Sequence, residues 1–286
     1  MTPDPAGKTA HVLLGASGFT AAGWAGSFYP PGLKSRDYLS YYATRFRTLE
    51  IDSTFYACPS RATVQGWRDK TPQDFIFAAK VPREITHQRV LIDCGPAWGE
   101  FLSTMEVLGD KLGPLLLQFE YFNQGIFRDD EEFLQRLVPF LKNLPTDREF
   151  AVEIRNKAWL TPRFVEALRE YRVALVLQDQ SWMARPGELF AQFDPITADF
   201  AYIRWLGDRK RIEEVTKTWN KTVVDRKAEI AEWTSVIQNV QERKIKIYGY
   251  VNNHFAGHAP TTIDQLRVAL GLPLPPEANL QLPFGE

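Results

Sequence analysis

The stretch EFAVEIRNKAWLTPRFVEALREYRVALVLQD, residues 149–179, reads as strand, helix, strand. EFAVEIR from Glu149 and VALVLQD from Val173 are short apolar runs, too brief for a helix of average length. Between them TPRFVEALREY opens on Thr161, an N-cap type residue, and carries apolar positions at helical spacing. Parallel strands require a crossover of this kind. Working outward, six more apolar runs recur: HVLLGAS from His11, FRTLEID from Phe46, FIFAAKV from Phe75, GPLLLQF from Gly113, FAYIRWL from Phe200 and IKIYGYV from Ile245. Helical patterns alternate with them, among them SRDYLSYYATRF, SRATVQGWRDK, AWGEFLSTMEVLG, DDEEFLQRLVPFLKN, RKAEIAEWTSVIQNVQER and TTIDQLRVALG. Eight strands alternating with helices predict a (β/α)8 TIM barrel rather than an open doubly wound sheet. Pro186, Gly187 and Pro195 make the sixth βα unit, 181–199, the irregular one.

Composition agrees with one globular body. The chain has 286 residues, 44% apolar and 24% charged, and a barrel of this class commonly uses ~250 residues as one domain. Residues 1–9 read as a loose N-terminal tail, and 10–286 as one barrel domain that includes a Pro-rich C-terminal tail (Pro273, Pro275, Pro276, Pro283) expected to cross the barrel exterior. The start MTPDPAGKTA has no apolar run, so no signal peptide is expected. No stretch approaches the ~20 apolar residues of a spanning helix, so no membrane partner is expected. Thirty-four basic and thirty-five acidic side chains leave a net charge of −1, which disfavours a general nucleic-acid binder. The one short basic run, Arg209, Lys210 and Arg211, is followed by Glu213 and Glu214. Cys58 and Cys94 lack CxxC spacing, which argues against a disulfide framework or structural zinc and predicts a cytoplasmic setting.

Chemistry in such barrels sits at the carboxyl ends of the strands. Here those ends are polar: Glu50 and Asp52, Lys80, Gln118, Glu153 and Arg155, Asp179, Arg204, and Asn252 with Asn253. The period of two puts Glu50 with Asp52, and Glu153 with Arg155, on common faces. One reading is a structural ion-pair network closing the barrel top; the other is a ligand site, favoured because desolvating ions is a costly way to hold a fold. Lys80, Arg155 and Arg204 would hold a small anion, while Glu153, Asp179, His87 and Lys80 would move protons. A divalent metal held by His87 or His254 with Glu153 and Asp179 is the alternative use of the same groups. His11 opens the first strand at the stability face, and His254 and His258 fall in a loop interrupted by Gly257 and Pro260. Trp24, Tyr29, Tyr56 and other top-loop aromatics either stack a ligand or roof the barrel. No phosphate loop, nucleophile elbow or other organic-cofactor motif occurs; Ser17 lacks elbow spacing, and Gly15 and Gly18 read as a tight turn.

The strings GASGF, WAGSFYP, LEIDSTFY, FIFAAKVPREITH, GPLLLQF, AVEIRNKAW, YIR and YVNNHFAGHAP, in this order, resemble the YecE-like family, domain of unknown function 72. The resemblance runs from the first strand to the last helix. It implies a TIM barrel with a polar pocket at Glu50, Tyr56, Lys80, His87, Gln118, Glu153, Arg155, Arg204, Asn252 and Asn253, but no established reaction. Members compared with endonuclease-type and sugar-isomerase-type barrels suggest a DNA-repair or sugar-related role by analogy alone. Three positions depart from the family pattern. Phe19 stands where a Trp is usual, the Arg-x-His-Gly after strand seven reads Arg204-Trp205-Leu206-Gly207, and the Asn after Ala-Pro is replaced within 259–263. The expected function is an enzyme for a small anionic, phosphorylated or sugar-containing molecule; the alternatives are an endonuclease-like nucleic-acid protein and a non-catalytic binder.

Overall fold

The computed structural model describes residues 12–275. His11, the tail over 1–9 and the end of the Pro-rich segment lie outside the described residues. Eight parallel strands form one sheet: β1 Val12–Ala16, β2 Thr48–Ile51, β3 Ile76–Lys80, β4 Leu112–Gln118, β5 Phe150–Glu153, β6 Ala174–Asp179, β7 Phe200–Trp205 and β8 Lys246–Val251. Their order, β1-β8-β7-β6-β5-β4-β3-β2, is that of a rolled barrel whose one unladdered seam falls between β1 and β2. The expected (β/α)8 TIM barrel is the observed fold. Each strand lies within a residue or two of its apolar run.

Among the described residues ten α-helices surround or cap the strands: α1 Tyr38–Arg45, α2 Arg61–Asp69, α3 Gly95–Met105, α4 Asp130–Leu141, α5 Pro162–Glu170, α6 Pro186–Gln192, α7 Arg209–Val215, α8 Lys227–Glu242, α9 Asn253–Ala256 and α10 Ala259–Ala269. Side-chain caps fix several starts: Ser60 accepts from Thr63 N, Asp129 from Glu132 N, and Thr161 from Phe164 N. The sixth unit is short, as Pro186 and Gly187 imply. Pro260 corrects the reading of 252–260 as loop. It sits in the first turn of α10, where its missing N–H costs nothing, and His258 caps that helix.

Strand side chains divide by period two. Leu116, Ala151, Ala174, Val176, Phe200, Tyr202, Tyr248 and Tyr250 form the barrel interior, where alanines on β3, β5 and β6 leave room for the rings of β7 and β8. The alternate residues, such as Leu117, Val152, Leu177, Ile203 and Trp205, pack under the helices.

The seam is closed by chemistry the ladder does not supply. The buried Tyr42 hydroxyl accepts from Ala16 N (2.8 Å) and donates to Thr48 O (3.1 Å), bridging β1 to β2. Gly15 makes the approach possible, since a Cβ there would stand 2.1 Å from Thr48 O. Gly15 is therefore a seam residue inside a strand and not part of a turn.

Candidate functional site

At the carboxyl ends of the strands the inward face becomes ionic. Arg204, near the end of β7 and 2% exposed, directs Nε and Nη2 at Glu50 Oε1 (3.1 and 2.7 Å), Nη1 at Glu153 Oε2 (2.8 Å) and Nη2 at Asp52 Oδ1 (3.4 Å). Tyr202, one step below on the same face, donates to Glu50 Oε2 at 2.6 Å. Arg155 Nη2 lies 2.6 Å from Glu153 Oε1, but outside hydrogen-bond alignment, and its Nη1 donates to Gln180. Both glutamates are fully buried. Charges balance: Arg204, Arg155 and Lys80 against Glu50, Glu153 and Asp52.

Burial pushes the Glu50 carboxyl up, with Arg204 and the Tyr202 hydroxyl pulling the other way. Burial also acts upward on Glu153, but Arg155 and Arg204 outweigh it and hold this carboxyl below its usual range. Arg204 stays firmly protonated against its own burial because Glu50 and Glu153 face it. Lys80 differs from the other cations. Its Nζ stands 3.9 Å over the Phe55 ring and has no hydrogen bond or ion pair among the described residues, and burial lowers its pKa. His87, edge-on to Phe55 at 4.9 Å, bonds Thr86 Oγ1 through Nδ1 (2.8 Å). Burial, with Lys80, Arg155 and Arg83, holds it down to about 4, so at neutral pH it is an uncharged imidazole.

Several expected members stand elsewhere. Asp179 faces outward, accepting from Trp233 Nε1 (2.7 Å) and Arg185 Nη1 (3.1 Å); the residue level with Arg204 is Gln178, while Asp179 is level with the outward Trp205. The proton-transfer role expected of Asp179 loses its geometric basis, because strand pleat turns adjacent residues to opposite faces. The metal set dissolves with it. His254 pairs with Glu213 (3.1 Å), Glu153 is taken by two arginines, and no three metal-ligating side chains converge among the described residues. Arg204 is also withdrawn from direct ligand contact, its donors being committed to Glu50, Glu153 and Asp52. Glu50 and Asp52, with Glu153, supply counter-charge to the three cations.

Trp24 and Tyr29 are buried at 2% and 1%. Trp24 Nε1 donates to Asn253 Oδ1 (3.2 Å), which also accepts from Ala259 N (2.9 Å), while Tyr29 stacks on Tyr38 at 3.9 Å. Trp24 and Tyr29 thus roof the β1 side, and Asn253 ties Trp24 to the start of α10. Asn252 caps α9 through His254 N (3.0 Å). Gln118 lies at the inner rim but donates to its neighbour Phe119 O (2.5 Å). Tyr56 is 70% exposed on a side cavity of about 180 Å³ shared with Arg83, Glu84 and Glu100. A cavity of about 450 Å³ at the opposite end, by Arg148, Arg172 and Asp199, shares no residue with the ionic cluster. Barrel chemistry belongs to the carboxyl face, so the cluster is the candidate site.

Asp52, Phe55, Gln178, Gln180 and Tyr202 belong to the site beyond the ten family positions. Tyr202 was readable from its spacing to Arg204. Gln178 was not, because β6 is apolar on both faces and its Gln-Asp ending offers no parity.

The fold and this inward ionic rim define a TIM-barrel protein of a particular kind. A family model described as "Protein of unknown function DUF72" matches residues 13–281, and the chain belongs to that family. It is 36% identical to the UPF0759 protein YecE of Escherichia coli strain K12 over 118 residues, 41% of each chain. It is 30% identical to the UPF0759 protein YunF of Bacillus subtilis strain 168 over 156 residues, 52% of this chain and 53% of that protein. The chain thus aligns with about half or less of these curated relatives. A crystal structure of a DUF72 family protein from Thermotoga maritima superposes with a TM-score of 0.73 at 26% identity, covering 91% of this chain and 99% of that one. A DUF72 family protein from Enterococcus faecalis gives 0.66 at 20% identity, with 92% and 99% covered, a likeness of fold.

Proposed function

We propose that this chain is an enzyme acting on a small anionic molecule, phosphorylated or sugar-containing, at the carboxyl mouth of the barrel. One observation carries the reading: Lys80 is the cation of the cluster that makes no direct hydrogen bond or ion pair among the described residues, whereas Arg204 and Arg155 are paired. A partly buried amine that stands among the rim's charges without a direct partner is a poor structural device and a ready anion contact. Arg155, 16% exposed at its side chain, is the second contact. Arg204 positions Glu50 and Glu153. Protons are handled by Lys80, His87 and Glu153. Buried Glu153 Oε1, Arg155 Nε and Gln178 Oε1 have no aligned protein partner, which gives the rim unused hydrogen-bonding capacity.

A cytoplasmic location is part of the proposal, on the two free thiols. No described helix is long and apolar enough to cross a membrane. Nucleic acid is the less favoured partner, because Arg209 of the short basic run is paired with Glu213.

Thermal unfolding with and without inorganic phosphate tests the site. The melting temperature is expected to rise with phosphate in the wild-type chain and to rise less in Arg155→Met and Lys80→Met. An equal rise in all three removes the mouth as the anion site.

A further inference from the structure

Two lysines of this fold are largely withdrawn from solvent, and their surroundings differ. Lys111 Nζ is caged by three acceptors, Arg68 O and Thr71 O at 2.6 Å and Thr71 Oγ1 at 3.1 Å, so its ammonium is held in place. Lys80 Nζ has no such cage. Nζ sits over the face of Phe55, which favours the cation but offers no lone pair to unmake. The backbone that bears the side chain is held, since Lys80 ends β3 and its main-chain carbonyl accepts from Thr54 Oγ1 at 2.7 Å. The neighbouring carboxylates are engaged by arginines: Glu153 by Arg155 and Arg204, Asp52 by Arg204.

We propose that Lys80 is a covalent nucleophile, its Nζ condensing with the carbonyl carbon of an aldehyde or ketone whose anionic group is held by Arg155. The inference rests on the reading of the mouth as an anion site and adds the reaction class. A lysine becomes nucleophilic when desolvation favours the neutral amine, and Lys80 meets that condition: burial opposes its charge and, with Arg204 adding to it, outweighs the nearby carboxylates Asp52, Glu153 and Glu50. In the step, the free amine forms the C–N bond and the carbonyl oxygen takes up a proton. A second proton lets that oxygen leave as water, with the nitrogen lone pair closing the C=N bond. The lysine ammonium and the carbonyl together become a protonated imine and one water; nothing is oxidised or reduced. Such an imine is an electron sink for bond cleavage or isomerisation beside the carbonyl, which matches the uncommitted polar atoms on β5 and β6.

The test traps the imine in the full chain. Dihydroxyacetone phosphate is the anion-bearing probe with borohydride; formaldehyde with cyanoborohydride is a second probe small enough to enter a narrow mouth. The expected result is one reduced adduct per chain on the Lys80 peptide, formed at least tenfold faster than at any other lysine and slowed by inorganic phosphate. Lys80→Arg and Lys80→Met, both verified as folded by circular dichroism, lose that fast adduct. At about pH 6 formaldehyde methylates Lys80 ahead of surface lysines, whose ordinary pKa is ~10.4. Adducts spread evenly over surface lysines, or fast labelling that persists in Lys80→Arg, overturn the inference. No adduct alongside phosphate stabilisation through Arg155 removes the imine and leaves the anion site standing; neither adduct nor stabilisation removes both.

Discussion

Arg204→Met separates a structural ion network from an apolar barrel that tolerates charge. The guanidinium makes contacts of 3.1 and 2.7 Å to Glu50 and one of 2.8 Å to Glu153, and both carboxyls are fully buried. Methionine fills much of the volume but leaves the carboxyls without this cation. Glu153 keeps Arg155, whereas Glu50 keeps only the Tyr202 hydroxyl at 2.6 Å, so most of the loss falls on Glu50. Removing one partner of a buried ion pair costs roughly 3–5 kcal/mol, the expected destabilisation at neutral pH.

The pH dependence has a definite sign. In the wild-type chain Glu153 lies below its usual range, so its contribution is present above the unfolded pKa and is lost as pH falls through the folded one. Burial already raises Glu50 in the wild-type chain, and in the variant, with the guanidinium no longer opposing it, Glu50 is raised further and takes up a proton on folding at higher pH, so acid favours the variant more than the wild type. The gap between the two proteins therefore narrows from pH 7 toward about pH 5, within the range that burial moves a carboxyl. Urea denaturation at both pH values measures it as a shift in midpoint at constant slope. Adding Glu50→Gln to Arg204→Met recovers part of the loss. A change below about 1 kcal/mol at neutral pH, or a loss equal at both pH values, would refute the buried-pair reasoning.

Tyr42→Phe is expected to cost roughly 2–4 kcal/mol, because Ala16 N–H and Thr48 C=O both lose a buried partner at ~1–3 kcal/mol each. Hydrogen exchange should quicken at Ala16 before the rest of β1, and unchanged protection there would mean the seam needs no bridge. Burial holds His258 down to about 4 against ~6.5 when unfolded, so stability is full above ~6.5 and falls with pH through that window by at most ~1.4 kcal/mol per unit. His258→Asn keeps a good helix cap and flattens this slope; an unaltered slope assigns the acid sensitivity to another group. Gly207→Ala should fail to fold normally, since Gly207 has φ +66° and its new Cβ would stand 2.3 Å from His254 O. Wild-type expression and melting of that variant would contradict the contact. Binding to single-stranded, intact duplex and abasic DNA at physiological salt is expected no tighter than the ~10⁻⁴–10⁻⁶ M of non-specific contacts. Submicromolar binding that Arg155→Met abolishes would promote the endonuclease-like reading.

The barrel was legible because burial on both faces writes each strand as a short unbroken apolar run, and eight such runs separated by helical spacing admit few folds. The same property hid the site. On β7 the alternation of Tyr202 and Arg204 with Ile203 and Trp205 fixes which pair faces inward only once a neighbour's register is known. On β6, Ala-Leu-Val-Leu-Gln-Asp carries no alternation, so the more reactive Asp179 attracts attention while the inward position belongs to Gln178. Aromatic roles were equally unreadable. Trp24 and Tyr29 are loop residues by sequence, and only the packing of the β1–α1 segment against Tyr38 and Asn253 shows that they roof the barrel. Gly15 inside a strand is explained by the seam, a long-range approach that local sequence does not encode.

The departure after strand seven bears on where protons can move. Where the family resemblance implies a histidine stands Leu206, 8% exposed, whose N–H donates to Asp179 O at 3.0 Å. The neighbouring histidine, His254, is held by Glu213 and by Asn252, and His258 is engaged in capping α10. On the opposite side His87, Lys80 and Phe55 form one cluster next to Asp52 and Glu153. His87 is neutral at physiological pH, and its Nδ1 is bonded to Thr86, so one ring nitrogen remains for a ligand. Under the proposed function, proton transfer at the mouth falls to the β2–β5 arc, with Lys80 at its centre. Leu206→His is the substitution that puts an imidazole back at this position of the β7–β8 side.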